Sequence, residues 1–303
     1  MEKRYYPFSK YLTDTFSKKV YKITLDSGFG CPNRDGTISN GGCIFCDEVG
    51  SYSRCSDKIG LQEQIKESMK LLKEKFKAEL FMAYFQSYSN TYAPVEVLKK
   101  TYDSVFEFDK IVSISIGTRP DCVDTEKLDL IASYPHPWIE YGLQSAHDET
   151  LKLINRGHDY NCFKNAVLET KKRGIKVCAH IILGFPNETR EMMLETARKL
   201  AELNIDSIKI HMLTVLADSP LAKIYEKEKF YLMTMEQYAE IVCDILELLP
   251  PATSIQRIAG TGYSETTLAP KWVNRRFEIL NYIDKILIQR NSTQAKFYNP
   301  KVN

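Results

Sequence analysis

A chain of 303 residues, 44% hydrophobic and with a net charge of +2, is long enough to bury a large core and too nearly neutral to read as a disordered or uniformly basic protein. No run approaches the roughly 20 apolar residues of a membrane helix, and the opening stretch MEKRYYPFSKYLTDTF lacks the apolar centre of a signal peptide, so the expectation is a cytoplasmic protein with no membrane association. The eight cysteines, Cys31, Cys43, Cys46, Cys55, Cys122, Cys162, Cys178 and Cys243, are too sparse for a secreted disulfide scaffold, whereas the clustering of the first three suggests metal or redox chemistry.

Charge is uneven along the chain. Residues 1–22 carry six Lys/Arg against two acidic residues, and residues 271–303 carry seven against two, so basic ends flank an acidic middle. The first 18 residues read as a basic segment. Strands are then predicted at 20–25, 79–86, 110–116, 138–144, 176–183 and 205–211, where Val, Ile, Phe and Tyr concentrate. Helices are predicted between them at 60–78, 94–107, 124–133, 148–173 (broken near Gly157) and 188–203. Pro94 suits a first helical turn, Asp124 a cap and Gly174 a stop. Six strands alternating with helices argue for parallel pairing through right-handed crossovers. The predicted fold class is α/β: a partial (β/α)6 open barrel over 19–212, or a doubly wound sheet. Residues 213–303 form a helical extension, with helices at 218–228, 234–249 and 273–290 and a short strand at 253–258. On the last helix Val273, Phe277, Leu280, Ile283 and Leu287 are expected to share an inward face.

The chemistry concentrates in Cys31-Pro-Asn-Arg-Asp-Gly-Thr-Ile-Ser-Asn-Gly-Gly-Cys43-Ile-Phe-Cys46, a C-x11-C-x2-C loop directly after the first strand. Strand C-terminal ends are where α/β folds place their sites, and Asp35-Gly36 with Gly41-Gly42 lets the backbone fold around a bulky ligand. Iron–sulfur clusters are ordinarily held by four thiolates, so three leave one iron open to a cofactor. A zinc site with Cys55 or a histidine as fourth ligand has the same donor chemistry. Glu140, Gly142 and Gln144 alternate along the fourth predicted strand, and polar residues pointing into a barrel suggest a polar ligand.

The cysteine loop with Phe45 before its third cysteine, FQSYSNTYAP, GTRPD, EYGLQS, INRGH and HIILGFPNET, on six β/α units, together resemble the radical S-adenosylmethionine superfamily over nearly the whole chain. The longer cysteine spacing resembles a subgroup related to the Elongator catalytic subunit and to oxygen-independent coproporphyrinogen dehydrogenase. Within it the motifs resemble bacterial enzymes that process carboxymethylaminomethyluridine at the tRNA wobble position. The resemblance implies a [4Fe–4S] cluster on Cys31, Cys43 and Cys46, with Cys55 not a ligand, and S-adenosylmethionine on its fourth iron. It implies cofactor contacts from Phe45, Gln86, Ser87, Gln144, Ser145, Arg156, His180, Gly184 and Pro186, with Arg156 on the methionine carboxylate and Gly184-Phe185-Pro186 at the adenine. Glu140 and His211 are candidate catalytic groups. Arg119, Lys271, Arg275 and Arg276 are candidate tRNA contacts, with Lys18, Lys19 and Lys22 adding to the basic footprint. The implied reaction converts 5-carboxymethylaminomethyl(2-thio)uridine at position 34 to 5-aminomethyl(2-thio)uridine through a 5′-deoxyadenosyl radical. Implied partners are tRNA, an electron donor such as flavodoxin or ferredoxin, and a downstream tRNA methyltransferase. A radical enzyme acting on a small molecule or peptide, and a zinc-stabilised RNA-binding protein, are the competing readings.

Overall fold

The structure, a computed structural model, describes residues 3–47, 59–260 and 266–300. Six consecutive strand–helix units build its frame: β1 (Val20–Leu25), α2 (Leu61–Phe76), β2 (Leu80–Phe85), α3 (Val95–Asp103), β3 (Ile111–Thr118), α4 (Thr125–Ala132), β4 (Trp138–Gln144), α5 (Asp148–Leu153) with α6 (Tyr160–Lys172), β5 (Lys176–Leu183), α7 (Arg190–Glu202) and β6 (Ser207–Met212). The strands pair in parallel in sequence order. The central strands β2, β3 and β4 carry nearly continuous runs of buried residues, as strands covered on both faces must. The result is an open parallel barrel of the predicted type followed by C-terminal helices.

The local signals act as sequence reasoning expects. The Asp124 carboxylate accepts from the Lys127 amide at 2.9 Å and starts α4. Asp159 does the same for α6, and Thr189 for α7. The long predicted helix is broken between Leu153 and Tyr160, where Gly157 takes φ +79°. Gly174 ends the α6 turn at φ +72°.

Three features depart from expectation. First, the strand β8 (Ser254–Arg257), assigned to the helical extension, pairs in parallel with β6 and is the seventh strand of the same sheet. A four-residue strand carries too little pattern to announce its neighbour. Second, the basic N-terminal segment contains the helix α1 (Phe8–Phe16), which buries Phe8 and Leu12 against Met82, Trp138 and Cys178 at the strand N-terminal ends. Phe8 meets Trp138 edge-on at 5.2 Å. Third, the last helix, α10 (Arg276–Gln289), follows a 3₁₀ turn over Lys271–Asn274, so its inward face falls on Ile279, Ile283, Ile286 and Leu287. Phe277 is 79% exposed rather than packed on the barrel, because the change of helical pitch rotates the face. Between β6 and α10 lie β7 (Val215–Leu216), α8 (Pro220–Glu228), α9 (Met235–Leu248) and β9 (Thr267–Ala269), with β7 and β9 antiparallel. Among the described residues no helix is long and apolar enough to cross a membrane.

Candidate active site

The strands' C-terminal ends open on a cavity of about 710 Å³, within the size of ordinary ligand sites. Cys31, Cys43, Phe45 and Cys46 line it from the loop after β1. That loop is braced from across the sheet by the segment after α5. The Asn155 amide donates to the Gly42 carbonyl at 2.8 Å, the Ile44 amide donates to the Ile154 carbonyl at 3.1 Å, and buried Asn33 donates to the Asn155 carbonyl at 2.6 Å. Gly157 fits here because a Cβ would stand 2.7 Å from Asn33 Oδ1. Sequence reading takes one residue, Arg156, from this stretch. The structure shows that its neighbours hold the cysteine loop in shape.

All three thiols are free. A hydrogen bond from Cys46 lowers the Cys43 pKa to about 5, and burial is more than offset by Arg156 as well. Among the described residues, Glu140, Cys178 and His180 are the one His/Cys/Asp/Glu trio whose ligand atoms all lie within 4.8 Å of one another. Cys55 lies outside the described residues.

Arg156 is buried between Cys43 and β4. It donates to Cys43 Sγ at 3.4 Å and to the Gly142 carbonyl at 2.6 Å, and its Nε has no hydrogen-bond partner. Gln144 Oε1 is likewise buried without a partner. Gly142 is bare at this point, since a Cβ would meet the Arg156 and Gln144 side chains at 2.6 and 2.7 Å. Gln86, Ser87, Gln144, Arg156 and His180 all line the cavity with the cysteines. Ser87 and Gln144 do so from positive φ, 77° and 76°, a conformation that L residues adopt at a cost.

Deeper in the barrel, Glu140 is fully enclosed. It accepts from Lys22 Nζ at 2.6 Å, Ser115 Oγ at 2.7 Å and His180 Nε2 at 2.8 Å, and it pairs with Lys209. Burial alone would raise the Glu140 pKa, but Lys209, Lys22 and His180 overcome it and hold the carboxylate well below the usual range. Two ammonium groups already occupy this carboxylate, so the Glu140–Cys178–His180 trio is an ion-pair centre and not a metal site. Burial, helped by the charge of Lys209, lowers His180 to about 4. Burial and Arg257 hold His211 well below the usual imidazole range. Both rings, 5.7 Å apart, are neutral at pH 7, so neither starts as a charged proton donor.

Several expected positions fall elsewhere. Ser145 turns away from the cavity and donates to Glu188. Gly184, at φ +95°, and Pro186 line a separate pocket of about 460 Å³ beside Phe230, Tyr231 and Met233. Phe185 still reaches back to Phe45, with ring centres 6.2 Å apart. Arg119 is 2% exposed and grips Asp121 with two hydrogen bonds of 2.8 and 2.6 Å beside the cysteines, so burial removes it from the surface contacts. Lys22 is inside the barrel, not on a basic surface, and Lys18 pairs with Glu79. Lys18 and Lys19 precede β1, whereas the cysteine loop follows it, about 20 Å further along a six-residue strand. Exposed Lys271 comes just before Val273, which belongs to the cavity wall, and exposed Arg275 and Arg276 come just after it.

Sequence reading passes over Lys209, Tyr84 and Arg257. Lys209 could have been found: it alternates with His211 in an otherwise apolar strand and so shares its face.

An open parallel barrel with three free cysteines at one strand end, and a buried arginine with spare hydrogen-bonding capacity beside them, defines a site for an iron–sulfur cluster and a small polar cofactor. Residues 29–200 match the radical SAM superfamily and residues 205–289 match the Radical_SAM C-terminal domain; the chain belongs to the radical SAM superfamily. It is 44% identical to Uncharacterized protein YtqA of Bacillus subtilis, with 98% of this chain and 94% of that protein covered. It is 37% identical to Protein YhcC of Escherichia coli, with 91% and 90% covered. Its fold matches the archaeal Methanocaldococcus infernus Elp3 with a TM-score of 0.67 at 17% identity, covering 88% of this chain and 63% of that one. The superfamily's cofactors are a [4Fe–4S] cluster and S-adenosylmethionine. The residues present fit both: three free thiols lining one cavity for the cluster, and Arg156 Nε with Gln144 Oε1 for polar groups of the cofactor.

Proposed function

We propose that this radical enzyme modifies tRNA, converting 5-carboxymethylaminomethyluridine at wobble position 34, with or without 2-thiolation, to 5-aminomethyluridine. The observation that carries this reading is the rim of the cavity. Val273 belongs to its wall, and Arg275, Arg276 and exposed Phe277 follow within four residues. Exposed arginines hold phosphates, and an exposed aromatic ring offers a base a stacking surface. The resemblance of the chain's motifs to wobble-uridine enzymes and the fold it shares with Elp3 support the same reading.

When bound, the cluster and S-adenosylmethionine supply a 5′-deoxyadenosyl radical that abstracts hydrogen. The protein's own residues do the rest. Cys31, Cys43 and Cys46 would hold the cluster, and Arg156 would take the methionine carboxylate through its guanidinium. Gln144 and His180 orient the cofactor's polar edge, and the barrel wall keeps water from the radical. Phosphate contacts at the rim position the anticodon arm while the wobble base leaves its stack to enter the barrel. Flavodoxin or ferredoxin would deliver the electron, and a methyltransferase would act on the free amine. The test is nucleoside mass spectrometry of tRNA from a deletion strain. Accumulated carboxymethylaminomethyluridine with loss of the aminomethyl form is expected, and an unchanged profile would refute the assignment.

A further inference from the structure

Among the described residues the cavity is lined by six cationic side chains, Lys22, Arg34, Arg119, Arg156, Lys209 and Arg257, against two carboxylates, Asp47 and Glu140. Most of these cations have an evident partner. Arg119 holds Asp121, Lys22 and Lys209 share Glu140, Arg34 holds the Asp47 carbonyl at 2.6 Å, and Arg156 stands at the cysteines. Arg257 differs. It is half-buried on β8, opposite Lys209 in the register, and no described carboxylate or carbonyl accepts from it. Its charge is nonetheless felt within the barrel, where it helps push down His211, His180 and Lys209. With both imidazoles neutral, the floor holds three cations and one carboxylate. Such an excess in a half-dry cavity is costly unless a ligand neutralises it.

We propose that Arg257, reinforced by Lys209 and Lys22, binds a carboxylate of the substrate at the cavity floor. The planar guanidinium presents paired N–H groups that match a carboxylate's two oxygens. The two lysines, already engaged with Glu140, contribute field rather than direct bonds. His211, one register step nearer the mouth, stands beside the chain that would connect such a carboxylate to the reacting carbon. The choice of a carboxylate over other anions rests on the wobble-uridine reading, in which the modified side chain ends in one. The floor would then distinguish the carboxymethylaminomethyl substrate from its aminomethyl product, which lacks the anion.

The test uses cluster-reconstituted protein with S-adenosylmethionine and three probes in calorimetry: 5-carboxymethylaminomethyluridine, N-benzylglycine, and N-methylbenzylamine, which has no carboxylate. The wild type is expected to prefer N-benzylglycine to N-methylbenzylamine by roughly 10- to 100-fold, the worth of a charged hydrogen-bonded pair. Arg257→Gln should abolish the preference and Arg257→Lys should keep part of it. No preference in the wild type, or an undiminished one in Arg257→Gln, would overturn the proposal. Should Arg257→Gln not fold, Arg257→Lys decides: a several-fold drop supports the site and an unchanged preference overturns it. If the carboxylate preference depends on Arg257 but the uridine nucleoside binds no better than N-benzylglycine, the carboxylate site stands and the wobble-uridine reading falls.

Discussion

Replacing Gly157 with alanine should empty the cysteine loop of its cluster without touching a ligand. Two costs add. At φ +79° an L residue is strained by about 1–2 kcal/mol. The new Cβ would also lie 2.7 Å from Asn33 Oδ1 and 2.9 Å from Ile38 Cγ2, closer than such atoms approach, so the loop must shift. Asn33 is fully buried, donates to the Asn155 carbonyl at 2.6 Å and accepts from Ser39 at 3.1 Å. Breaking one of those bonds leaves a buried polar group unpaired, at about 1–3 kcal/mol. The sum, about 2–5 kcal/mol, falls on the loop that carries the cysteines. Gly174→Ala is the matched control: its φ is +72°, but nothing lies within 4 Å of the added methyl, so it meets the backbone cost alone. Iron and acid-labile sulfide per chain, with denaturant unfolding, should show Gly157→Ala depleted of cluster and Gly174→Ala replete. Equal losses in the two variants, or full iron in Gly157→Ala, would refute the bracing role of the 154–157 segment.

Four further outcomes follow from the site. Cys31→Ala, Cys43→Ala and Cys46→Ala should each lose iron on anaerobic reconstitution, whereas Cys55→Ala should keep it; iron analysis decides. Arg156→Ala should weaken S-adenosylmethionine binding by on the order of 2–4 kcal/mol in calorimetry, and Arg156→Lys should recover only part, since the fork is lost. His180 is lowered in the fold to about 4 from an ordinary 6.5, so the unfolded chain binds the extra proton first. The resulting loss of stability is absent above pH 6.5, grows as pH falls and is complete below pH 4, reaching about 3 kcal/mol; denaturation at pH 7 and pH 4.5 should show a shallower loss in His180→Gln. Arg275→Ala combined with Arg276→Ala should lower tRNA affinity and flatten its salt dependence by about one to two units of slope, and an unchanged titration would remove this patch from the interface.

What could be read from the residues was what depends on neighbours in sequence. Strand runs, caps at Asp124, the break at Gly157 and the spacing of Cys31, Cys43 and Cys46 are local, and they locate the barrel and its reactive end. What escaped depends on closure. Lys22 and Glu140 are 118 positions apart and meet only because the sheet curls. Lys22 therefore reads as a surface base in sequence and is an interior ion pair in the fold. Arg257 sits on a four-residue strand whose partner no local pattern names. Phe277 was placed inward by a helical wheel that ran through residues forming a 3₁₀ turn. Gly184 lines the pocket beside Met233, a placement set by the docking of the segment 230–233 that no local pattern at Gly184 announces.

The barrel's lower end is stitched across an unusual distance in the chain. The Tyr6 amide donates to the Gln294 side chain at 2.8 Å across 288 positions, and the Gln294 backbone amide donates to the Arg4 carbonyl at 2.8 Å. Ile255 of the seventh strand donates to the Tyr6 carbonyl from the same corner. During synthesis the first helix thus leaves the ribosome long before the residues that fasten its leading end exist. Contacts this remote carry a large loop-closure cost and form late. The cysteine loop, only some 20 residues beyond α1, is exposed to metals and oxidants throughout that interval, so production of intact enzyme becomes a race between translation and thiol damage.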